Sequence, residues 1–219
     1  MIGTIPSADK SDARALPAVI LAGGASRRMG QDKAHLPLNG QPLLDHVYHR
    51  LAKQCAPVVI SGPQDRFIKN QTVIVADGVS GFAGPLAGIL AALEHFSMKE
   101  TTATHLLSVA VDTPFFPENL ALCLEEEAGT PESLVIARSE NRTHPVFALW
   151  PFQLKQDLAQ WLKVPENRRM MDFINRHSPI FVDFSIEKTS AGALDPFFNI
   201  NTPDDLARAR RFAVALSTA

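Results

Sequence analysis

The sequence PAVILAGGASRRMGQDKA, from Pro17 to Ala34, joins a short apolar run to a loop of small and basic residues. The apolar run, which ends at Ala22, is partly β-branched and too short for a typical helix, so it predicts a buried strand. The paired glycines Gly23 and Gly24 follow, and they allow a sharp turn and a close approach of the backbone to a ligand. In open α/β sheets, ligands bind at the carboxyl ends of the strands, where this loop would lie.

The loop has the chemistry of a phosphate-binding segment. Its backbone amides can donate hydrogen bonds to anionic oxygens, and Arg28 and Lys33 add positive charge. The motif GxxxxGK[ST] does not occur, because Ala34 follows Lys33, and GxGxxG does not occur, because the two glycines are adjacent. Gly-Gly by itself is compatible with a solvated basic loop. The whole stretch favours a nucleotide phosphate loop.

Strand and helix patterns alternate along the rest of the chain. Further strands are predicted at 57–61, 72–76, 106–111, 134–138, 146–150 and 180–184. Helices are predicted after the Asn39–Gly40 turn and at 85–96, 117–127, 152–162, 169–174 and 203–216. This order predicts an α/β fold with a doubly wound, mostly parallel sheet. We expect a single domain over 17–219, preceded by a loose N-terminal tail at 1–16.

Composition narrows the class of protein. The chain has 219 residues, of which 46% are hydrophobic and 20% charged, as is usual for one α/β domain. A net charge of −2 gives no reason to expect nucleic-acid binding. Cys55 and Cys123 lie far apart and form no CxxC, which favours reduced thiols. Without a signal-peptide pattern or a membrane-length apolar run, we expect a cytoplasmic protein that binds no membrane.

Asp112 ends the predicted strand 106–111 and precedes Thr113–Pro114. At the end of a parallel strand, its carboxylate would lie in the same crevice as the glycine loop. Mg²⁺ takes one or two carboxylates together with substrate phosphates, so Asp112 is a candidate metal ligand. A turn or cap aspartate is an equal alternative on the local sequence.

Basic residues and asparagines in the second half are candidates for a second substrate. Arg142 and His144 precede one predicted strand, and Arg168 and Arg169 begin a predicted helix. Together these side chains could hold a phosphorylated group, although solvated arginines and a structural histidine are the simpler interpretation.

The segment 199–203 reads Asn-Ile-Asn-Thr-Pro. Thr202 and Pro203 are typical of a helix N-cap and first helical position. That role does not account for Asn199.

The motifs together resemble those of a known family. Residues 21–33 meet every fixed position of L-x-G-G-x-S-x-R-M-G-x-D-K, a signature of nucleotidyltransferases and, within them, of the molybdenum cofactor guanylyltransferases. GPLAG at 84–88, VDTPF at 111–115, HPVFAL at 144–149 and NINTPxDL at 199–206 are similar to other segments of that family. The resemblance runs from about residue 17 to the last helix, and it implies a Rossmann-like, three-layer fold.

The resemblance also implies a reaction, in which GTP and a molybdopterin phosphate form a guanine dinucleotide cofactor and pyrophosphate leaves. It implies Mg²⁺ as the cofactor, with Asp112 as the metal ligand. The implied catalytic residues are Arg28, Lys33 and Asp112. The implied nucleotide-binding residues are Leu21, Ala22, Gly23, Gly24, Lys33, Gly62, Asp77, Gly84 and Asp112. The implied acceptor-binding residues are Arg142, His144, Arg168, Arg169, Asn199 and Asn201.

Three alternatives stay open at this point. The first is a related transferase that uses CTP, or one that acts on a sugar or isoprenoid phosphate. In the cytidine-using relatives the loop resembles L-A-A-G, with a methyl group in the place of Gly23. The second is a nucleotide-binding regulator without catalysis. The third is a protein that delivers the cofactor, for which molybdoenzymes or upstream cofactor-synthesis proteins would be the partners.

Overall fold

The structure is a computed structural model that describes residues 15–23, 32–62, 73–75, 84–99, 101–167 and 169–217. The strands are β1 (Ala18–Leu21), β2 (Pro37–Leu38), β3 (Gln41–Pro42), β4 (Val58–Ser61), β5 (Ile74–Val75), β6 (His105–Ala110), β7 (Val135–Ser139), β8 (Arg142–Pro151), β9 (Ile180–Asp183), β10 (Glu187–Thr189) and β11 (Gly192–Leu194). The helices are α1 (Leu43–Ala52), α2 (Pro85–Ser97), α3 (Leu120–Glu127), α4 (Lys155–Trp161), α5 (Met170–Ile174) and α6 (Pro203–Ser217).

Seven of these strands form the central sheet, in the order β5-β4-β1-β6-β8-β7-β9. The pairs β5–β4, β4–β1 and β1–β6 are parallel, as is β7–β9. Strand β8 runs antiparallel to both of its neighbours, β6 and β7. The prediction of a mostly parallel α/β sheet is therefore confirmed.

Helices cover both faces of the sheet because successive strand residues point to opposite sides. Ala18 and Ile20 of β1 pack in the core cluster that contains the buried faces of α1 and α3. Val19, between them, packs in the cluster formed with α2, α4 and α5. The result is the three-layer arrangement that the resemblance implied.

The order of the strands places the topological switch point between β1 and β6. From β1 the chain goes to β4 and β5 on one side, and then returns to β6 on the other side of β1. Leu21, the last residue of β1, lies opposite Ala110, the last residue of β6. A crevice opens beyond the carboxyl ends of strands at such a point, which is where ligands bind in open α/β sheets.

Several elements differ from the sequence predictions. Strand β8 begins at Arg142 instead of 146, because Glu140 and Asn141 form a tight turn with φ of 45° and 64° that extends the hairpin with β7. Helix α3 begins at Leu120 instead of 117, and residues 152–154 form a 3₁₀ turn before α4. The β2–β3 and β10–β11 hairpins were not predicted, because strands of two or three residues are too short to show a period.

Two predicted segments, the N-terminal tail and the strand at 72–76, are described only in part. Leu16, which we assigned to the tail, is 4% exposed and packs in the core, so the packed region includes it. Residues 72 and 76 of the predicted third strand lie outside the described residues, as do 1–14 of the tail. In the described ranges, no helix combines the length and the hydropathy of a membrane span.

Helix α2 approaches the sheet so closely that Gly88 has no room for a side chain. A Cβ atom at Gly88 would overlap Ser61 Oγ, and it would lie 2.7 Å from Leu21 Cδ2 and 3.1 Å from Ser61 Cβ. Alanine favours a helix over glycine by about 1 kcal/mol. We expect the cost of the steric overlap to exceed this gain in helix propensity. Gly88→Ala should therefore lower the free energy of unfolding, measured in denaturant titrations, by about 1–2 kcal/mol.

A double-mutant cycle tests the cause of this loss. Ser61→Ala removes the hydroxyl oxygen that a Cβ at Gly88 would approach most closely. The cost of Gly88→Ala should therefore be smaller in the Ser61→Ala background than in the wild type. A Gly88→Ala variant as stable as the wild type would contradict the close packing of α2 on β1 and β4.

Candidate active site

A cleft of about 230 Å³ opens at the switch point between β1 and β6. Its lining combines the ends of both strands with residues brought from distant parts of the chain: Leu21, Ala22, Gly23, Asp32, Lys33, Pro85, Ala110, Val111, Asp112, Val146 and Asn199. Apolar side chains form one part of this surface, and a lysine, two aspartates and an asparagine supply the polar groups. The described lining therefore combines an apolar surface with one cation, two carboxylates and one amide.

Lys33 is the basic residue of the lining among the described residues. It begins a 3₁₀ turn, Lys33–His35, that Asp32 caps by accepting a hydrogen bond from Ala34 N at 3.1 Å. Lys33 Nζ donates to Asp112 Oδ2 at 2.8 Å and to Asn201 Oδ1 at 2.5 Å. The side chains of Lys33 and Asp112 are 20% and 16% exposed, so a ligand in the cleft can reach both.

Asn201 reaches Lys33 because the start of α6 is fixed beside Asp112. Ile200 N donates to the backbone oxygen of Asp112 at 2.9 Å, which joins the segment before α6 to the end of β6. Asp205 Oδ2 accepts hydrogen bonds from Asn201 N and Thr202 N, and Asp205 N donates to Thr202 Oγ1 at 3.1 Å. This reciprocal arrangement confirms the predicted N-cap at Thr202.

Asn199 lines the cleft and has unused hydrogen-bonding capacity. Its Oδ1 atom is buried and accepts no hydrogen bond within the described part of the chain. A buried carbonyl oxygen without a donor is costly, so such atoms in a cleft are suited to a ligand that supplies the donor.

His144 lies inside the protein instead of on the cleft. It is 7% exposed, its ring stacks on Phe197 with centroids 4.4 Å apart, and its Nε2 is 2.7 Å from Ser139 Oγ. Burial lowers the pKa of His144 to about 4; Asp195 opposes this shift and Arg142 adds to it. The side chain is therefore neutral at pH 7, and direct contact with an acceptor stays a prediction that this location does not favour.

The low pKa of His144 predicts how stability changes with pH. Between pH 6.5 and about 4 the unfolded chain binds a proton that the folded protein does not, so the free energy of unfolding falls as the pH is lowered through this range. Replacing His144 by glutamine should remove that part of the loss. Denaturant titrations at pH 7 and 4.5 should therefore show a smaller fall for His144→Gln than for the wild type.

His49 provides the matched control, because it is a histidine on the exposed side of α1. His49→Gln should lose stability in parallel with the wild type. If the free energy of unfolding falls equally in all three proteins between pH 7 and 4.5, His144 does not contribute to the acid sensitivity.

The other predicted site residues fall into three groups. Leu21, Ala22, Gly23, Lys33, Asp112 and Asn199 line the cleft, and Asn201 joins them through Lys33. Four residues are not in the described lining: Gly62, which follows β4, Gly84, which precedes α2, and the exposed Arg142 and Arg169. Gly24, Arg28, Asp77 and Arg168 lie outside the described residues.

Sequence reasoning missed five lining residues: Asp32, Pro85, Ala110, Val111 and Val146. All of these except Ala110 belong to a quoted motif: Asp32, Pro85, Val111 and Val146. Their positions next to predicted site residues within those motifs were the available signal. Val146 reaches the cleft because the β7–β8 register jumps from Ile136 opposite Ala148 to Ala137 opposite His144. Such a bulge redirects side chains and has no clear signature in the sequence.

The comparisons with known proteins agree with this architecture. The family model of the MobA-like NTP transferase domain matches residues 18–180. A molybdenum cofactor guanylyltransferase from Rhizobium meliloti (strain 1021) is 46% identical over 195 residues, which are 88% of this chain and 89% of the relative. Another, from Rhizobium leguminosarum bv. trifolii (strain WSM2304), is 45% identical over 198 residues, 90% and 93% of the two chains.

The fold comparison points the same way. The crystal structure of molybdopterin-guanine dinucleotide biosynthesis protein A from Archaeoglobus fulgidus has a TM-score of 0.71 and 22% identity, over 91% of this chain and 99% of that one. The NTP transferase domain model and the named relatives define the class of protein as a nucleotidyltransferase, with its cleft at the switch point. Within that class, the chain belongs to the molybdenum cofactor guanylyltransferase family.

Proposed function

We propose that this protein transfers GMP from GTP to the terminal phosphate of molybdopterin. An oxygen of the acceptor phosphate attacks the α-phosphorus of GTP, the bond from that phosphorus to the β-phosphate oxygen breaks, and pyrophosphate leaves. The observation that carries this proposal is the pairing of Lys33 with Asp112 in the switch-point cleft. The chain is also more than 40% identical to relatives named molybdenum cofactor guanylyltransferase. Both substrates are anions, so the protein has to neutralise charge and align the reacting groups.

Lys33 and the glycine loop supply the positive side of the site. The ammonium group of Lys33 would stabilise the charge that builds up on the triphosphate and on the departing pyrophosphate. Arg28 and the loop amides would add to it. The other residues that we propose to contact the nucleotide are Leu21, Ala22, Gly23, Gly24, Gly62, Asp77 and Gly84.

The acceptor would bind on the side of α6. Asn199 and Asn201 are the proposed contacts there, with Arg142, Arg168 and Arg169 as further candidates. The buried oxygen of Asn199 supports this proposal, because the pterin carries N–H groups that can donate to it. A phosphate nucleophile is already ionised at pH 7, so the reaction needs no general base from the protein.

The carboxylates of the cleft fit Mg²⁺. No group of three or more histidine, cysteine, aspartate or glutamate side chains converges on one point in the residues that the structure describes. Asp112 and Asp32 instead offer hard oxygen ligands beside the space for the phosphates, and Mg²⁺ is bound by one or two carboxylates with substrate oxygens. Bound there, Mg²⁺ would supply charge neutralisation at the phosphates.

One experiment tests the proposal directly. Purified protein is mixed with molybdopterin, or its molybdenum form, and each nucleoside triphosphate in turn in the presence of Mg²⁺. Mass spectrometry should detect a guanine dinucleotide, with one pyrophosphate released for each dinucleotide. A cytosine dinucleotide as the main product, or no dinucleotide with any nucleotide, would overturn the proposal.

Gly23 supplies a test of base choice. It lines the cleft at the end of β1, where a backbone without Cβ leaves room for a purine. We expect the ratio of kcat/KM for GTP to that for CTP to be large in the wild type. Gly23→Ala should reduce this ratio roughly tenfold or more, because each base group left unpaired costs about 1–3 kcal/mol. A wild-type ratio near one would contradict the choice of guanine.

A further inference from the structure

A buried chain of hydrogen bonds lies behind the acceptor side of the cleft. Ser139 Oγ, at the end of β7, donates to Asp195 Oδ1 at 3.0 Å. The serine hydroxyl has a single proton, so His144 Nε2 acts as the donor in the 2.7 Å contact with Ser139 Oγ. Ser139 is 1% exposed and His144 is 7% exposed. These two side chains therefore lie in the protein interior, shielded from the solvent.

Asp195 connects this chain of hydrogen bonds to the backbone of the segment 195–201. Its Oδ1 atom also accepts from Phe197 N at 2.9 Å, and its backbone oxygen accepts from Phe198 N at 2.9 Å. Phe197 is 3% exposed and its ring packs on that of His144. The first turn of the segment is thus fixed to the β7–β8 hairpin by hydrogen bonds and by ring packing.

The other end of the segment is fixed at the cleft. Ile200 N donates to the backbone oxygen of Asp112, and Asn201 Oδ1 accepts from Lys33 Nζ. Asn199 lies between the two anchors, and its buried Oδ1 has no protein donor in the described residues. The position of Asn199 therefore depends on the anchors at both ends.

We propose that Ser139, His144 and Asp195 form a positioning network that sets Asn199 for the acceptor substrate. This role rests on the proposed function, and it assigns His144 to the network instead of to direct contact with the acceptor. Displacing a binding group by about 1 Å can cost roughly 100-fold in rate. Loss of the network should therefore affect the acceptor far more than GTP.

Asp195 offers a matched pair of variants. Asp195→Ala removes the acceptor of both hydrogen bonds, whereas Asp195→Asn keeps an oxygen that can accept them. We expect Asp195→Ala to lower kcat/KM for the acceptor by roughly 10- to 100-fold, through a higher KM, a lower kcat or both. The Kd of GTP should stay within about twofold of the wild type. Asp195→Asn should restore most of the activity, and Ser139→Ala should show the same pattern as Asp195→Ala, more weakly.

Two comparisons separate positioning from general damage. Thr189→Ala removes a hydrogen bond to Gly192 O in the neighbouring β10–β11 hairpin, and it should leave the kinetics unchanged. In a double-mutant cycle, adding Asp195→Ala to Asn199→Ala should lower kcat/KM for the acceptor little further, because the network acts through Asn199. Additive losses, an equal loss of GTP binding, or an Asp195→Asn variant as impaired as Asp195→Ala would each overturn the proposal.

A second readout does not depend on turnover. The side-chain amide resonances of Asn199, assigned with Asn199→Ala in ¹⁵N-labelled protein, should shift in Asp195→Ala and stay in place in Asp195→Asn and Thr189→Ala. A wild-type protein that forms no dinucleotide would refute the proposed function and leave this measurement valid. Unmoved Asn199 resonances in Asp195→Ala, or in Ser139→Ala if the first variant does not fold, would refute the network.

Discussion

Asp112→Asn is expected to fold normally and to lose at least about 100-fold in kcat, because one negative charge disappears from the centre of the cleft. The change keeps the size of the side chain, and the bond from Ile200 N is made to the backbone oxygen of Asp112, which the variant retains. A neutral amide binds Mg²⁺ poorly, and it also weakens the 2.8 Å ion pair with Lys33.

The measurement is kcat at increasing Mg²⁺, with the unfolding midpoint recorded for each protein. Asp183→Asn is the matched control, because it removes a 59% exposed carboxylate that pairs with Arg138 at the surface. That variant should keep the wild-type rate. A near wild-type kcat for Asp112→Asn at saturating Mg²⁺ would show that Asp112 is not the metal ligand.

Lys33→Met is expected to lower kcat/KM by roughly 10²- to 10³-fold, the usual effect of losing one charged contact with the transition state. Methionine retains much of the apolar stem but has no ammonium group. The hydrogen bonds to Asp112 and Asn201 are lost together, so the acceptor side of the cleft also loses an anchor. Lys33→Arg should recover part of the activity, because it keeps the charge.

Lys53→Met is the control for this change. Lys53 is 64% exposed and lies 3.6 Å from Glu118 at the surface, where ion pairs contribute little. We expect wild-type kcat/KM for Lys53→Met. An unchanged kcat/KM for Lys33→Met would return Lys33 to the interpretation as a solvated loop residue.

The half of the cleft that we propose for the nucleotide was largely predictable from the sequence. The glycine loop and Asp112 each follow an apolar run, and parallel strands bring their carboxyl ends to one edge of a sheet. Since a loop after β1 and a residue after β6 can meet only there, the cleft lining confirms this part of the geometry. The same local logic predicted the Thr202 cap, because Pro203 follows it directly, and the structure adds Asp205, three residues further on, as its partner.

The half that we propose for the acceptor was less predictable, because its contacts join residues far apart in the chain. The motif at His144 suggested a ligand, but the structure buries the ring against Phe197 and Ser139. Ser139 and Asp195 had no signal of their own, since a serine before a turn and an aspartate before a proline are common in loops. Val146 reaches the cleft through a bulge that periodicity does not reveal.

By itself, the sequence determined the order of the main strands and helices and the family, and it led to the proposal of a phosphate-binding loop, because these depend on local periodicity and on motifs of adjacent residues. Only the tertiary structure decided that Lys33 pairs with Asp112 and Asn201, which are 79 and 168 positions away. It also decided that His144 faces the core. Contacts of this kind arise from strand order and helix packing, and neither leaves a pattern among neighbouring residues.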